Sequence, residues 1–213
     1  MMKLYWIKTH GIVRAIAKGL LWNIPNSRKA VYLTFDDGPT PEITPWVLEQ
    51  LKEYNAKATF FCIGKNAEAH PDICRQIKVQ GHQIGNHTHT HRNGWITSAS
   101  DYLADFEDGK QTLQNILNEE VKLFRPPYGK MGWRAFWKIK KQGYAIVMWD
   151  VLSADFDSEI SAEQCLANVL TNIESGSIVV FHDSQKCFTN LKEVLPKTLA
   201  FLKENKFCCE VIA

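Results

Sequence analysis

Leu33-Thr34-Phe35-Asp36-Asp37-Gly38-Pro39 is the stretch that decides how this chain folds. It closes an apolar run that begins at Ala30, and it ends in the turn-forming pair Gly38-Pro39. An apolar run bounded in this way reads as a short buried strand, so two carboxylates sit where a strand gives way to a loop. In folds built on parallel strands, that end carries the chemistry. Side chains of neighbouring strand residues point to opposite faces, so Asp36 and Asp37 need not share one role. Together with the histidines between His87 and His91, the pair points to a metal site with a carboxylate base beside it.

Outward from this stretch, apolar runs at 30–35, 58–63, 82–85, 121–124, 145–149, 177–181 and 207–212 read as strands. Helical patterns lie between them. Thr44-Pro45 opens one that carries Val47, Leu48, Leu51 and Tyr54 on a single stripe, and Pro71 opens another that stops at Gly81. Tyr102 to Leu117, Trp133 to Gly143 and Leu191 to Leu202 carry three more, and Ser161 with Gln164 forms a capping box for a further one. Strand–helix alternation requires right-handed crossovers and a parallel sheet. Its repetition about seven times predicts an α/β fold, a closed or nearly closed, TIM-like (β/α)7 barrel in a single domain. The barrel is expected over residues 29–213, preceded by a basic amphipathic arm or helix over residues 1–28.

A chain of 213 residues, 45% hydrophobic and 23% charged, suits one domain with a sizeable core. The formal net charge is only +2 and the basic residues are scattered, which gives no reason to expect a nucleic-acid partner. Six cysteines show no C-x-x-C spacing and are read as free thiols rather than as a disulfide framework.

Lys3, Lys8, Arg14 and Lys18 break the apolar N-terminal segment, so nothing in it approaches the roughly 18 apolar residues of a membrane span. The charges-then-apolar-core order of a signal peptide is not seen either. The segment is expected to pack on the barrel surface. The alternative is peripheral contact with a membrane, with Trp6 and Trp22 near the interface. A cytoplasmic or inner-membrane-associated monomer is the default expectation.

His87 and His91, at i and i+4, can share one face of a helical turn and reach one ion, with His89 on another face. Two imidazoles and a carboxylate leave a fourth position open, as catalytic zinc sites do. In Arg125-Pro126-Pro127-Tyr128-Gly129 the prolines and glycine fix a rigid turn. There the Tyr128 N–H could hold a developing oxyanion while Arg125 braces a carboxylate, unless the piece is a surface turn anchored by a salt bridge. His182 follows the sixth apolar run, where a core histidine or an acid–base role fits its ordinary pKa of about 6.5. Asp150 and Asp155 follow the fifth. Trp95, Trp133 and Trp149 are either sugar platforms or core residues.

The order and spacing of Thr34 to Pro39, His87 to His91, Arg125 to Gly129 and Val180-Phe181-His182 resemble the polysaccharide deacetylase family (NodB homology domain, carbohydrate esterase family 4). The resemblance spans nearly the whole chain from about residue 30. It implies a distorted barrel and a divalent metal, zinc above all, with Co2+, Ni2+ or Mn2+ possible, held by Asp37, His87 and His91. It further implies Asp36 as general base, Arg125 as the residue that orients it, Tyr128 as oxyanion donor, and His182 as acid tuned by Asp155. Val180 would take the place of the family's leucine beside the acetyl methyl, in a substrate pocket with Pro126, Trp149 and Phe156. Two departures stand out: Leu152 where the family commonly has an acid, and Phe156 where it has tryptophan. Asp150 is expected to substitute in part for the missing acid.

The activity expected from the resemblance is metal-dependent removal of acetyl groups from carbohydrate, foremost N-acetyl groups of amino-sugar chains of the peptidoglycan or chitin type. Alternatives are hydrolysis of a non-sugar amide or imide, deacetylation of O-acetyl xylan, and a non-catalytic carbohydrate-binding protein with a structural metal.

Overall fold

Every residue of the strand Ala30–Asp36 is buried, as expected of a parallel strand covered on both faces. Its alternation divides the molecule. Val31, Leu33 and Phe35 face outward into the main core, where Phe35 stacks on Phe60 and Phe181 with ring centroids 5.1 and 5.9 Å away. Ala30 and Tyr32 face inward with Phe61, Leu123, Val147 and Ile178. Thr34 and Asp36 continue that inner row toward the strand's C-terminal end.

The computed structural model describes residues 5–213. Its strands are β1 (Leu20–Leu21), β2 (Ala30–Asp36), β3 (Ala58–Cys62), β4 (Gln83–Asn86), β5 (Leu123–Phe124), β6 (Ala145–Val147), β7 (Val151–Leu152), β8 (Ile178–His182) and β9 (Cys208–Cys209). They form a curled parallel sheet in the order β1-β6-β5-β4-β3-β2-β8-β7, with β9 added alongside the start of β2. The helices are α1 (Gly11–Ile16), α2 (Ile43–Glu53), α3 (Gly64–Ala69), α4 (Pro71–Val79), α5 (Ala99–Leu117), α6 (Trp133–Lys141), α7 (Ala162–Leu170) and α8 (Phe188–Glu204). The result is a single-domain, distorted (β/α) barrel.

Each expected strand segment carries a strand. β1 and β7, of two residues each, and α3 were not foreseen, because pieces so short carry no readable periodicity. The capping box of α7 is present: Gln164 N–H donates to Ser161 Oγ, and Ser161 N–H to Gln164 Oε1 at 3.0 Å. All six cysteines are free.

The N-terminal segment links the two edges of the sheet. Leu152 N–H donates to Ile7 O and Thr9 N–H to Asp150 O beside β7, and the segment then runs through α1 to β1, which pairs with β6. Lys8 Nζ lies 2.7 Å from Asp150 Oδ2, whose carboxylate is fully buried and also accepts from Ser177 Oγ. Asp150 therefore does not stand in for the missing acid near the site. Its charge is spent holding this segment. Trp6, Ile12 and Ile16 remain exposed. No helix among the described residues is long and apolar enough to cross a membrane.

Candidate active site

The C-terminal ends of the strands gather at one cleft of about 460 Å3. Asp36 ends β2 in register with His182 at the end of β8, while His87 follows β4, Arg125 follows β5 and Trp149 follows β6. Asp37 would point to the opposite face if the strand continued. Instead it leaves the strand with φ 79°, and both acids line the same cleft.

That turn is clamped from beneath. Asp183 accepts the Gly38 N–H at 3.0 Å and the Thr44 hydroxyl, and Asn66 Nδ2 donates to the Asp37 carbonyl at 2.7 Å. A Cβ on Gly38 would fall 2.1 Å from Asp183 Oδ2, so only glycine fits there. Burial pushes the Asp183 carboxyl up to about 7.

Asp36 is held by one residue. Arg125 is fully buried, lies over the Phe61 ring, and donates from the same nitrogen to Asp36 Oδ1 and Thr34 Oγ1, each at 2.7 Å. Its remaining N–H groups reach the carbonyls of Met148 at 2.9 Å and Val147 at 3.3 Å. With every branch of the guanidinium engaged, Asp36 has one orientation.

Asp37, His87 and His91 each place one ligand atom within 4.8 Å of the others. His87 Nδ1 lies 2.7 Å from the Arg125 carbonyl. A carbonyl only accepts, so Nδ1 carries the proton and Nε2 keeps its lone pair for an ion. Burial pulls His87 down to about 4, so it is neutral. Burial alone would raise Asp37, but the rings of His91, His182 and His87 outweigh it and hold the carboxyl well below the usual range. Among the described residues Asp37 Oδ1 is buried without a hydrogen-bond partner, although His91 Nε2 and His87 Nε2 lie 3.2 and 3.7 Å away. A buried anionic oxygen facing two imidazole nitrogens fits a divalent cation.

The two histidines do not converge through a helical turn. Residues 87–91 form a loop in which Thr88 and His91 have φ of 61° and 59°. His89 points elsewhere, with Nε2 3.9 Å from Glu68.

Tyr128 also has positive φ, 59°, and its N–H makes no hydrogen bond among the described residues, while its ring lies 4.6 Å from that of His91. Gly129 packs against the Trp149 ring, which a Cβ would approach to 2.7 Å.

His182 is held by Asp155 at two points, ring Nδ1 to Oδ1 at 2.7 Å and backbone N–H to Oδ2 at 2.8 Å. Burial disfavours its charge, but Asp155, followed by Asp37 and Asp36, reverses that and lifts His182 to about 9. Phe156 packs edge-on against His182, with ring centroids 5.3 Å apart.

Val180, Phe156, Trp149, Pro126 and Leu152 line the cleft. Trp95 and Trp133 are surface residues, 69% and 70% exposed, and do not line it. Tyr5, Lys130, Ser184, Lys186 and Cys187 line it as well and were not anticipated. Lys130 directly follows Arg125 to Gly129, and Ser184, Lys186 and Cys187 come shortly after His182, which is the available signal. Tyr5 had none: its ring meets Phe156 at 5.3 Å and its hydroxyl bonds Asp157, both from far along the chain.

Comparison with known proteins gives a consistent picture. The family model described as polysaccharide deacetylase matches residues 23–147. A peptidoglycan-N-acetylglucosamine deacetylase of Bacillus cereus is 36% identical over 187 residues, 87% of each chain. A chitooligosaccharide deacetylase of Azorhizobium caulinodans is 36% identical over 161 residues, 75% of this chain and 76% of the relative. A peptidoglycan N-acetylglucosamine deacetylase solved in complex with 4-naphthalen-1-yl-N-oxidanyl-benzamide superposes with a TM-score of 0.87 at 32% identity, covering 94% of both chains.

Proposed function

Since this chain belongs to the polysaccharide deacetylase family of metal-dependent hydrolases, we propose that it removes N-acetyl groups from amino-sugar chains of the peptidoglycan or chitin type. The observation that carries this reading is one cleft holding an arginine-locked carboxylate, an Asp-His-His donor set and an aspartate-bound histidine. The named substrates of the two relatives, peptidoglycan N-acetylglucosamine and chitooligosaccharide, support the substrate class.

An amide carbonyl is a poor electrophile and an amine a poor leaving group, so hydrolysis needs an activated water, a stabilised oxyanion and an acid. Asp37, His87 and His91 would hold a divalent ion, for which zinc suits one carboxylate and two imidazoles, with Co2+, Ni2+ or Mn2+ as substitutes. Such an ion supplies Lewis acidity to the acetyl carbonyl and acidifies water. Asp36 takes the proton of the attacking water, and Arg125 keeps its carboxylate aimed. The Tyr128 N–H donates to the oxyanion. His182 gives its proton to the sugar nitrogen as the C–N bond breaks, leaving acetate and a free amine. Val180, Leu152 and Trp149 offer an apolar wall to the acetyl methyl, and Phe156 and Pro126 border the sugar.

The test is acetate release from peptidoglycan, N-acetylated chito-oligosaccharides and acetylated xylan by the metal-loaded protein and its Asp36→Asn variant. Release from the first two, lost in Asp36→Asn with metal content unchanged, is expected. Preference for xylan would move the substrate to O-acetyl esters. Full activity of Asp36→Asn would remove the base assignment, and silence on all three substrates would leave a binding protein or an amidase of other specificity.

A further inference from the structure

We propose that Asp155, His182 and Cys187 form a second cation site that takes a soft or borderline divalent ion, Zn2+ or Cd2+, and switches the enzyme off. One ligand atom from each residue lies within 4.8 Å of the other two. Cys187 stands just ahead of α8, lines the cleft and has no part in the hydrolysis described above. Among the described residues its sulfur accepts only a weak contact from Ser184 Oγ at 3.3 Å, which leaves it able to turn to an ion. The Asp155 side chain is fully buried and the His182 side chain 15% exposed, and their two mutual hydrogen bonds make the oxygen and nitrogen donors rigid.

The donor set distinguishes this site from the Asp-His-His group in the same cleft. Carboxylate, imidazole and thiolate together select zinc or cadmium and reject magnesium and calcium, and three ligands leave a fourth position open to water from the cleft. The local electrostatics also favour a cation. Burial and then the charge of Asp155 keep the Cys187 thiol protonated, and a bound ion relieves both. On entry the ion displaces two protons to solvent, that of the thiol and the one His182 shares with Asp155. His182 is then a neutral imidazole tied to the ion through Nδ1, and the proton left on Nε2 is too weakly acidic for the departing amine. Inhibition in this form rests on the deacetylase reading, whereas binding does not.

The experiment titrates Cd2+ into the metal-free protein and follows thiolate-to-cadmium charge-transfer absorption. The band is expected in wild type and in the His87→Ala/His91→Ala protein, and is expected to vanish in Cys187→Ser and Cys187→Ala, which retain Cys208 and Cys209. A band of equal strength in both Cys187 variants overturns the site. In parallel, acetate release is compared at one equivalent and at excess Zn2+. The ratio should fall at least tenfold in wild type and stay near unity in the Cys187 variants. Equal ratios would overturn the inhibitory role. A wild type that shows the band but releases no acetate would count against the deacetylase reading alone.

Discussion

Both oxygens of Asp155 are committed to His182, one to the ring Nδ1 at 2.7 Å and the other to the backbone N–H at 2.8 Å. The carboxylate thus fixes where the ring sits and which nitrogen faces the cleft, and with Asp37 and Asp36 it overcomes burial to lift the imidazole to about 9. The folded value lies above the unfolded one of about 6.5, so the proton's contribution to stability is complete below about pH 6.5 and disappears as pH rises through about 9. The same proton serves the leaving amine. Asp155→Asn is expected to lower kcat on the order of 100-fold and to move the alkaline limb of its pH profile to lower pH. An unchanged limb in kcat-against-pH measurements would mean that Asp155 does not set the acid's protonation.

Arg125 presents a different case, because it is wholly buried and, among the described residues, its only charged partner is Asp36. Removing one member of a buried ion pair leaves the other uncompensated, at a cost of about 3–5 kcal/mol. Arg125→Met is expected to lower Tm by about 10 °C, at roughly 2–4 °C per kcal/mol for a domain of this size. Arg125→Lys keeps the charge but cannot span Asp36, Thr34 and two carbonyls, so it should lose most activity as well. Thermal melts and acetate release on the same preparations check both.

The N-terminal segment makes a similar commitment through Lys8, whose ammonium reaches Asp150, the Asn172 carbonyl and Glu174 at 2.7–2.9 Å. Only the Asp150 contact is with a fully buried carboxylate. Lys8→Met is expected to destabilise by about 3 kcal/mol, softened by Ser177 and by Arg14 at 3.4 Å. Glu174→Gln, which touches the exposed partner of the same ammonium, should change stability by less than about 1 kcal/mol. Denaturant titrations of the two variants should separate clearly. Equal midpoints would show that the segment does not brace the sheet edges.

Asp183 gives a second pH signature, of opposite origin. Its folded value of about 7, raised by burial, stands above the ordinary carboxyl near 3.9, so the folded state holds this proton more tightly. Stability should therefore fall as pH rises from about 4 to about 7 and then level off. Asp183→Asn keeps an acceptor for Gly38 and should flatten that part of the curve relative to wild type. Melting temperature against pH, at fixed metal concentration, tests it.

The sheet is legible in the sequence, and so is the gathering of Asp36, Asp37, His87, Arg125 and His182 around one cleft, because these residues sit at the ends of apolar runs. What escaped notice depended on contacts between distant parts of the chain. No local signal in Lys8 announces Asp150, and none in Tyr5 announces Phe156 and Asp157. The i, i+4 spacing of His87 and His91 suits a helical turn, yet His91 reaches Asp37 through positive φ at Thr88 and at His91 itself. Thr88, being β-branched, disfavours that conformation, so the surrounding packing imposes it there. Asp150 stands beside the site in sequence, but its buried carboxylate is taken up by Lys8 and Ser177.

Tyr5 offers the last test, because it joins the N-terminal segment to the cleft. Its ring meets Phe156 edge-on at 5.3 Å, Phe156 meets His182 in the same way, and its hydroxyl donates to Asp157. The three rings form one wall of the cleft, with Tyr5 furthest from the acid. Aromatic contacts of this kind contribute about 0.5–1.5 kcal/mol beyond area burial. Tyr5→Ala should therefore raise KM for a chito-oligosaccharide about 3–10-fold, through a looser sugar-facing wall, while kcat changes by less than about threefold. Tyr5→Phe keeps the ring and loses only the hydroxyl, so most of the affinity should return. If Tyr5→Ala lowered kcat as much as kcat/KM, the ring would be acting on His182 rather than on the sugar.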